Sequence, residues 1–217
     1  MPRQSSLVAV FRLFALDITL MAVLLAIAGA VMSAGVSVPE TALAGVEIGA
    51  GILFAVVVIA PVAEEIIFRG WLSGRPGHLL SLIAVVPVML AAAAAVSLTG
   101  GTSLADIWLG ALAGVLAGLV VAFGILYWLR RRGAMGWFQK LFPLFFWLST
   151  LAFSLIHLFN FPADQMTMAL PLVLPQFVTG TMLGYLRVNY GLWASILLHA
   201  LHNGAFISLV LLAGSAG

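Results

Sequence analysis

The chain has no cysteine among its 217 residues, and this absence removes two kinds of chemistry. Disulfide bonds and catalysis by a thiolate nucleophile are both excluded. The redox state of the compartment also leaves no trace in the sequence, because that inference depends on how cysteines are used.

Charged residues are scarce as well, at 7% of the chain, compared with roughly 25% in ordinary soluble domains. Hydrophobic residues make up 64%. A soluble core of this length cannot cover so much apolar surface, so the composition predicts an integral membrane protein. The nine lysines and arginines fall mostly in predicted loops, where they report topology and give no sign of nucleic-acid binding.

The apolar runs predict an all-α polytopic membrane helix bundle of seven transmembrane helices, with room for roughly six to eight spans. No linker or charge run indicates a second soluble domain, so residues 1–217 are predicted to form a single integral membrane domain. The predicted helices cover about 7–33, 43–73, 78–98, 104–130, 141–161, 167–187 and 191–214.

The loop charges predict an orientation. With seven spans, the basic loop residues all fall on one side, and the acidic ones, Glu40 and Asp164, fall on the other. The positive-inside rule then places the N-terminus in the cytoplasm. The basic residues concerned are Arg3, Arg75, Arg130, Arg131, Arg132, Lys140 and Arg187.

The first helix has two interpretations. Its basic start, apolar stretch and small residues also fit a signal peptide. Arg12 and Asp17 interrupt the apolar part, and removing this helix would upset the charge pattern, so we favour a retained helix. We place Arg12 and Asp17 near the membrane interface.

Ionisable side chains within predicted spans are expensive and usually mark function. Glu47 and Asp106 lie near predicted helix ends, where hydration explains them. The others lie deeper and need a different explanation; they are Glu64, Glu65, Arg69, His157, His199 and His202.

The stretch AEEIIFRG, residues 63–70, carries three of these charges. Glu65 and Arg69 are four residues apart and share a helix face, so they are predicted to form an ion pair. Glu64 points about 100° away from Glu65 on an α-helix. A carboxylate held out of bulk water near a cation is a candidate general base, although all three charges would also serve as a polar clamp between helices.

A second element is FSLIHLFN, in which Phe153 and His157 share a helix face and Asn160 follows nearly one turn later. A lone histidine in a helix bundle is more often a hydrogen-bonding strut than a catalyst. This element alone does not distinguish the two roles.

The third element is HALHN, where His199 and Asn203 project from one face and Ser195 lies one turn earlier. A histidine and an asparagine can together donate hydrogen bonds to an oxyanion. The same pair would equally orient a water or hold a metal. His202 lies about 60° around the helix from His199, where it either assists or packs.

The estimated depths of the motif residues in the membrane indicate that the three elements lie close together. At ~1.5 Å per residue from the loop charges, Glu64 lies ~16 Å and His199 ~18 Å deep. On the same count His157 lies ~25 Å from Lys140, unless residues 136–143 run along the surface. We therefore expect the three helices to converge within the membrane on the cytoplasmic side.

With EEIIFRG, FSLIH and HALHN in this order, the chain resembles the CPBP family, also called Abi, of CAAX prenyl proteases and bacteriocin-processing enzymes. The family pattern is EExxxR, then FxxxH, then HxxxN or HxxxD. The resemblance covers residues 64–203. It implies an all-helical intramembrane protease, similar to type II CAAX endopeptidases, that hydrolyses a peptide bond in a cavity open to the cytoplasm.

The resemblance also implies roles for the matched residues. Glu64 activates the water and Glu65 with Arg69 supports it, while His157 positions water and base next to Phe153. His199 and Asn203 stabilise the oxyanion.

The motif residues would also be able to bind a metal. Members of the family are often called metalloproteases, but the HExxH motif is absent here. Glu64, His157 and His199 would be able to ligate zinc with one position open, or to act on water without a metal. We favour chemistry without a metal.

One departure from the family pattern is a stretch of 83 residues between Arg69 and Phe153. It matches two inserted helices at about 78–130, and an even number of spans keeps the motif helices in the same relative orientation. Gly110, Gly114 and Gly118 give the second of these helices a small-residue face, which we assign to packing within the bundle.

Three functions remain open at this stage. The first is an intramembrane endopeptidase of a prokaryotic inner membrane, acting on a membrane-associated or prenylated protein or peptide. The alternatives are an inactive membrane scaffold or bacteriocin-immunity protein, and a proton-coupled transporter that uses the same Glu and His groups as relays.

Overall fold

The computed structural model describes residues 5–39, 41, 48–99 and 103–215. Arg3, Glu40 and Glu47 lie outside the described residues, so the expectations for them stay predictions. Within the described ranges the protein is helical with no β-strand, which confirms the all-α prediction.

Seven helices in the described ranges are long and apolar enough to cross a membrane, as predicted. Their bounds agree with the prediction to within a few residues, except that the predicted start of the second helix lies in residues that are not described. A short additional helix, α5, precedes the fifth span. The helices are α1 (Ser6–Ser33), α2 (Ala50–Ser73), α3 (Pro76–Thr99), α4 (Leu104–Trp128), α5 (Gly136–Lys140), α6 (Phe142–Asn160), α7 (Ala163–Tyr190) and α8 (Leu192–Ser215).

Local sequence signals explain where helices start and stop. The hydroxyl of Ser5 accepts a hydrogen bond from Val8 N at the start of α1, and Gly35, with φ +88°, follows its end. At the start of α4, Ser103 Oγ accepts from Asp106 N, and Asp106 Oδ2 accepts from Ser103 N. Asp106 is therefore a helix-capping residue, in agreement with its predicted place near a helix end.

Many large apolar side chains on these helices are exposed, including Leu90 at 66% and Val120 at 71%. Soluble monomers rarely expose such continuous apolar surface. Together with the seven spans, this surface is that of an integral membrane protein.

The chain divides into two compact units. The first consists of Met1–Gly70 and Pro143–Gly217 and contains all three motifs. Its core joins α1, α6, α7 and α8 through eight buried apolar residues. They are Ala9, Val10, Phe153, Met182, Leu183, Leu186, Ala194 and Leu198.

The second unit, Trp71–Phe142, contains both helices that were predicted to be inserted. The buried glycines Gly110, Gly114 and Gly118 of α4 face α3. A Cβ at Gly114 would lie 2.7 Å from the carbonyl oxygen of Met89, so only glycine allows this approach. The small-residue face therefore serves packing between α3 and α4, as expected.

Candidate active site

The first motif follows a change of helix type in α2. Residues Ala55–Ile59 form a π-helical turn, in which Ala60 N donates to Ala55 O. Pro61 has no N–H to offer the next carbonyl, Val56 O. Asn203 of α8 supplies the missing donor, with Nδ2 2.9 Å from Val56 O. The asparagine of the third motif thus binds the backbone of α2 just before the first motif.

The predicted ion pair between Glu65 and Arg69 is present. Arg69 Nη1 donates to Glu65 Oε1 at 2.6 Å, and neither side chain is exposed to solvent. The Arg69 guanidinium carbon also lies 3.8 Å above the centre of the Phe153 ring. Phe153, from the second motif, therefore covers the cation of the first motif.

Glu65 also joins α2 to α8. Ser195 Oγ donates a short hydrogen bond to Glu65 Oε2, and His199 Nδ1 lies 3.0 Å from Glu65 Oε1. A carboxylate accepts hydrogen bonds, so the His199 nitrogen that faces it is the protonated one. This contact fixes the orientation of the His199 ring.

Glu64 differs from Glu65 in exposure and in hydrogen bonding. Its side chain is 29% exposed, whereas Glu65 is fully buried. Glu64 Oε2 is buried and has no hydrogen-bond partner among the described residues. The other edge of the same imidazole is close, because His199 Nε2 lies 3.8 Å from Glu64 Oε2. Glu64 thus holds a carboxylate oxygen that no protein donor occupies.

His157 completes the cluster from α6. Its Nδ1 lies 2.7 Å from Phe153 O, and since a carbonyl only accepts, Nδ1 carries the proton. The neutral ring then presents an unprotonated Nε2. The ring packs against Phe153 at 4.9 Å between centroids, and Phe153 also packs against His199 at 5.5 Å. The His157 ring also interacts electrostatically with the Glu64 carboxylate.

The three motifs therefore converge, as the depth argument predicted. The two secondary polar candidates are placed differently. Asn160 is exposed on the last turn of α6, away from the hydrogen bonds of the cluster. His202 is half-buried, and its Nδ1 lies 2.6 Å from Asp17 of α1.

Two expectations for charged residues were wrong. Arg187 was counted as a loop residue, but it lies in the last turn of α7 and is half-buried. Its Nε and Nη2 donate to Arg69 O and Gly70 O at 2.8 and 3.0 Å, and so cap the end of the first motif's helix. Asp17 was placed near the interface, but it is fully buried and hydrogen-bonded.

Sequence reasoning also missed supports on α7. A Cβ at Gly180 would lie 3.2 Å from Arg69 Nη2 and 3.0 Å from Phe153 Cδ1, so glycine allows α7 to approach the ion pair closely. Gly180 O lies 3.5 Å from Arg69 Nη2. Neither motif spacing nor charge marks Gly180 in the sequence. The burial of Asp17 on α1 did have a signal, namely the rule that charged residues within membrane spans are usually functional.

The described residues include no group of three His, Asp or Glu side chains arranged to hold a metal ion. The set considered from the sequence, Glu64, His157 and His199, is not arranged as such a group among the described residues, and a zinc ion there stays a prediction. The metal-free mechanism stays a prediction as well.

A family model described as type II CAAX prenyl endopeptidase Rce1-like matches residues 46–136 and 124–205. The matched region spans more than half of the chain and includes all three motifs. Neither the curated proteins nor the solved structures include a significant match.

Proposed function

The chain belongs to the type II CAAX prenyl endopeptidase Rce1-like family, and on that premise we propose that it hydrolyses a peptide bond with a water activated by Glu64. Membership makes it a CAAX-type intramembrane protease in general terms. The observation that carries the proposal is the contrast between the two glutamates. Glu65 is occupied by protein donors, whereas Glu64 Oε2 is buried without one.

In the proposed first step, a water donates one hydrogen bond to Glu64 and is held by the unprotonated Nε2 of His157. Glu64 takes the proton as the water oxygen attacks the carbonyl carbon of the peptide bond. General-base assistance of this kind contributes roughly 10²–10⁴-fold to the rate.

The attack leaves negative charge on the former carbonyl oxygen. His199 Nε2 is the donor proposed for this oxyanion, since its other edge is held by Glu65. In this scheme His199 enters the step as the imidazolium and stays so: Nδ1–H donates to Glu65 throughout and Nε2–H donates to the oxyanion, so the ring neither gains nor loses a proton. Asn203 has a second N–H besides the one given to Val56 O, and we assign it to the same oxyanion.

The tetrahedral intermediate then collapses. The C–N bond breaks, and the proton held by Glu64 passes to the leaving nitrogen, which restores the carboxylate. Glu65, Arg69 and Phe153 do not touch the reactants in this scheme. Phe153 packs against both histidines and Glu65 binds His199, so these residues hold the histidines in position.

The proposed substrate is a membrane-associated or prenylated protein or peptide, reached from the bilayer. We also propose that the site faces the cytoplasm of a prokaryotic inner membrane. The basic residues Arg75, Arg130 and Lys140, in or beside loops on the same side of the seven spans, support this orientation.

The proposal is tested with the purified protein in lipid nanodiscs and a mixed peptide pool that includes prenylated CAAX peptides. Mass spectrometry identifies the cleavage products, and Glu64→Gln provides the matched control. We expect cuts made by the wild type and lost in the variant.

Two results would contradict the proposal. Cuts that persist in Glu64→Gln would mean that the base is wrongly assigned. Silence from the wild type, with a pool that a type II CAAX endopeptidase cuts, would favour an inactive scaffold or immunity protein. Proton-dependent flux in liposomes that is lost with Glu64→Gln would instead favour a transporter.

A further inference from the structure

A second buried polar cluster lies in the first unit, where α1 meets α7 and α8. Asp17 of α1 has no exposed surface. Thr179 Oγ1 of α7 donates to Asp17 Oδ1 at 2.8 Å, and His202 Nδ1 of α8 lies 2.6 Å from Asp17 Oδ2. Asp17 and Thr179 lie outside the three motifs, and His202 lies inside HALHN at a position that the family pattern HxxxN leaves open.

Adhesion between these helices does not require the cluster. Ala9 and Val10 of α1 and Leu198 of α8 belong to the same buried apolar core. A buried carboxylate with a polar partner costs several kcal/mol of desolvation, and apolar residues of similar volume often stabilise as well or better. The polar contacts of Asp17 therefore provide something other than binding strength, namely a fixed register.

The contact repeats the arrangement found at His199. In both cases a buried carboxylate from another helix faces Nδ1 of a histidine on α8: Glu65 of α2 faces His199, and Asp17 of α1 faces His202. The two histidines are three residues apart and point about 60° from each other around the helix. Two fixed points at different angles prevent α8 from rotating about its axis.

We propose that Asp17 is a positioning residue that acts through His202 and sets the rotation of α8. His199 and Asn203 lie on the same rigid helix, so a rotation that moves His202 also moves both oxyanion donors. Displacements near 1 Å at a catalytic group cost up to about 10²-fold in rate. The part of the proposal that concerns the reaction rests on the proposed protease function, but the part that concerns α8 does not.

The test removes the polar cluster while keeping its volume, with the triple variant Asp17→Val, Thr179→Val and His202→Leu in the full chain in nanodiscs. We expect an unchanged thermal midpoint and KM, with kcat lowered at least about tenfold. Asp17→Asn keeps an acceptor for His202 and a donor for Thr179, so it should restore kcat to within about threefold of wild type.

A second readout does not depend on turnover. The ¹⁵N signals of His199, assigned by comparison with His199→Gln, report its contact with Glu65. We expect them to shift in the triple variant and to return in Asp17→Asn. If the triple variant does not fold, Asp17→Val alone takes its place in both measurements.

Unshifted His199 signals in the variant without the cluster would overturn the proposal, whatever happens to kcat. If kcat falls in the triple variant while the His199 signals do not shift, Asp17 or His202 takes part in the reaction itself. If kcat is unchanged in an active enzyme, Asp17 has no positioning role in the reaction. If the wild type is inactive but the His199 signals of the triple variant shift as expected, the protease function is rejected. Asp17 then keeps its role as the residue that positions α8.

Discussion

His199 Nδ1 lies 3.0 Å from Glu65 Oε1, the oxygen that also accepts a hydrogen bond from Arg69 at 2.6 Å. One buried carboxylate therefore joins α2 to α8 and turns the opposite edge of the imidazole toward Glu64, 3.8 Å away. The two adjacent glutamates differ in their partners, and the different roles proposed for them rest on this difference. Glu65 accepts hydrogen bonds from Arg69 and Ser195, whereas Glu64 Oε2 has no protein donor among the described residues.

Removing the carboxylate of Glu65 should destabilise the protein. Glu65→Ala leaves the Arg69 guanidinium buried without its ion-pair partner, and we expect a loss of about 3–5 kcal/mol in the free energy of unfolding. Denaturant unfolding in detergent micelles measures it. Ile66→Ala, at an exposed position of the same helix, is the control. Equal losses in the two variants would contradict the structural role of Glu65.

Ser195 should contribute to stability through the same carboxylate. Its hydroxyl donates to Glu65 Oε2, and hydrogen bonds to charged groups are worth about 1.5–3 kcal/mol, so Ser195→Ala should lose a similar amount. Ser208→Ala is a matched control on α8, because Ser208 is exposed and donates only to Gly204 O. We expect it to stay within about 0.5 kcal/mol of wild type in the same unfolding assay.

Asn203 and Pro61 should be energetically coupled. Asn203→Ala removes the donor to Val56 O and should cost about 1–3 kcal/mol, since a half-buried carbonyl is left unpaired. Pro61→Ala restores a backbone N–H that can reach Val56 O within a π-helical turn. The cost of Asn203→Ala should therefore be smaller in the Pro61→Ala background, by about 0.5–1.5 kcal/mol in a double-mutant cycle. Strictly additive effects would refute this explanation of the contact.

The close approach of α4 to α3 should depend on glycine. A Cβ at Gly114 would meet the Met89 carbonyl oxygen at 2.7 Å, a backbone atom that cannot turn aside. We expect Gly114→Ala to lower the thermal midpoint, at a cost of about 1–3 kcal/mol. Gly124→Ala on the same helix meets nothing within 4 Å and should leave the midpoint unchanged or higher. The reverse order would contradict the helix packing described here.

The sequence was sufficient to predict the spans and the Glu65–Arg69 ion pair because both depend on local patterns. Apolar runs of membrane length gave seven helices, and the i, i+4 spacing gave the Glu65–Arg69 pair and the faces of His157 and His199. Contacts between distant helices could not be predicted in this way. The two partners of Asp17 are 162 and 185 residues away in the chain. Asn203 binds a carbonyl freed by a proline 142 residues earlier, so both contacts required the tertiary structure.

Single-turnover cleavage of an identified substrate peptide by Glu64→Gln, compared with wild type in the same nanodiscs, tests the central claim most directly. Glu64 makes no hydrogen bond through Oε2, so the thermal midpoint should not change. We predict a rate at least about 10²-fold lower at that unchanged midpoint. A folded Glu64→Gln variant that keeps more than about a tenth of the wild-type rate would contradict the assignment of Glu64 as the general base.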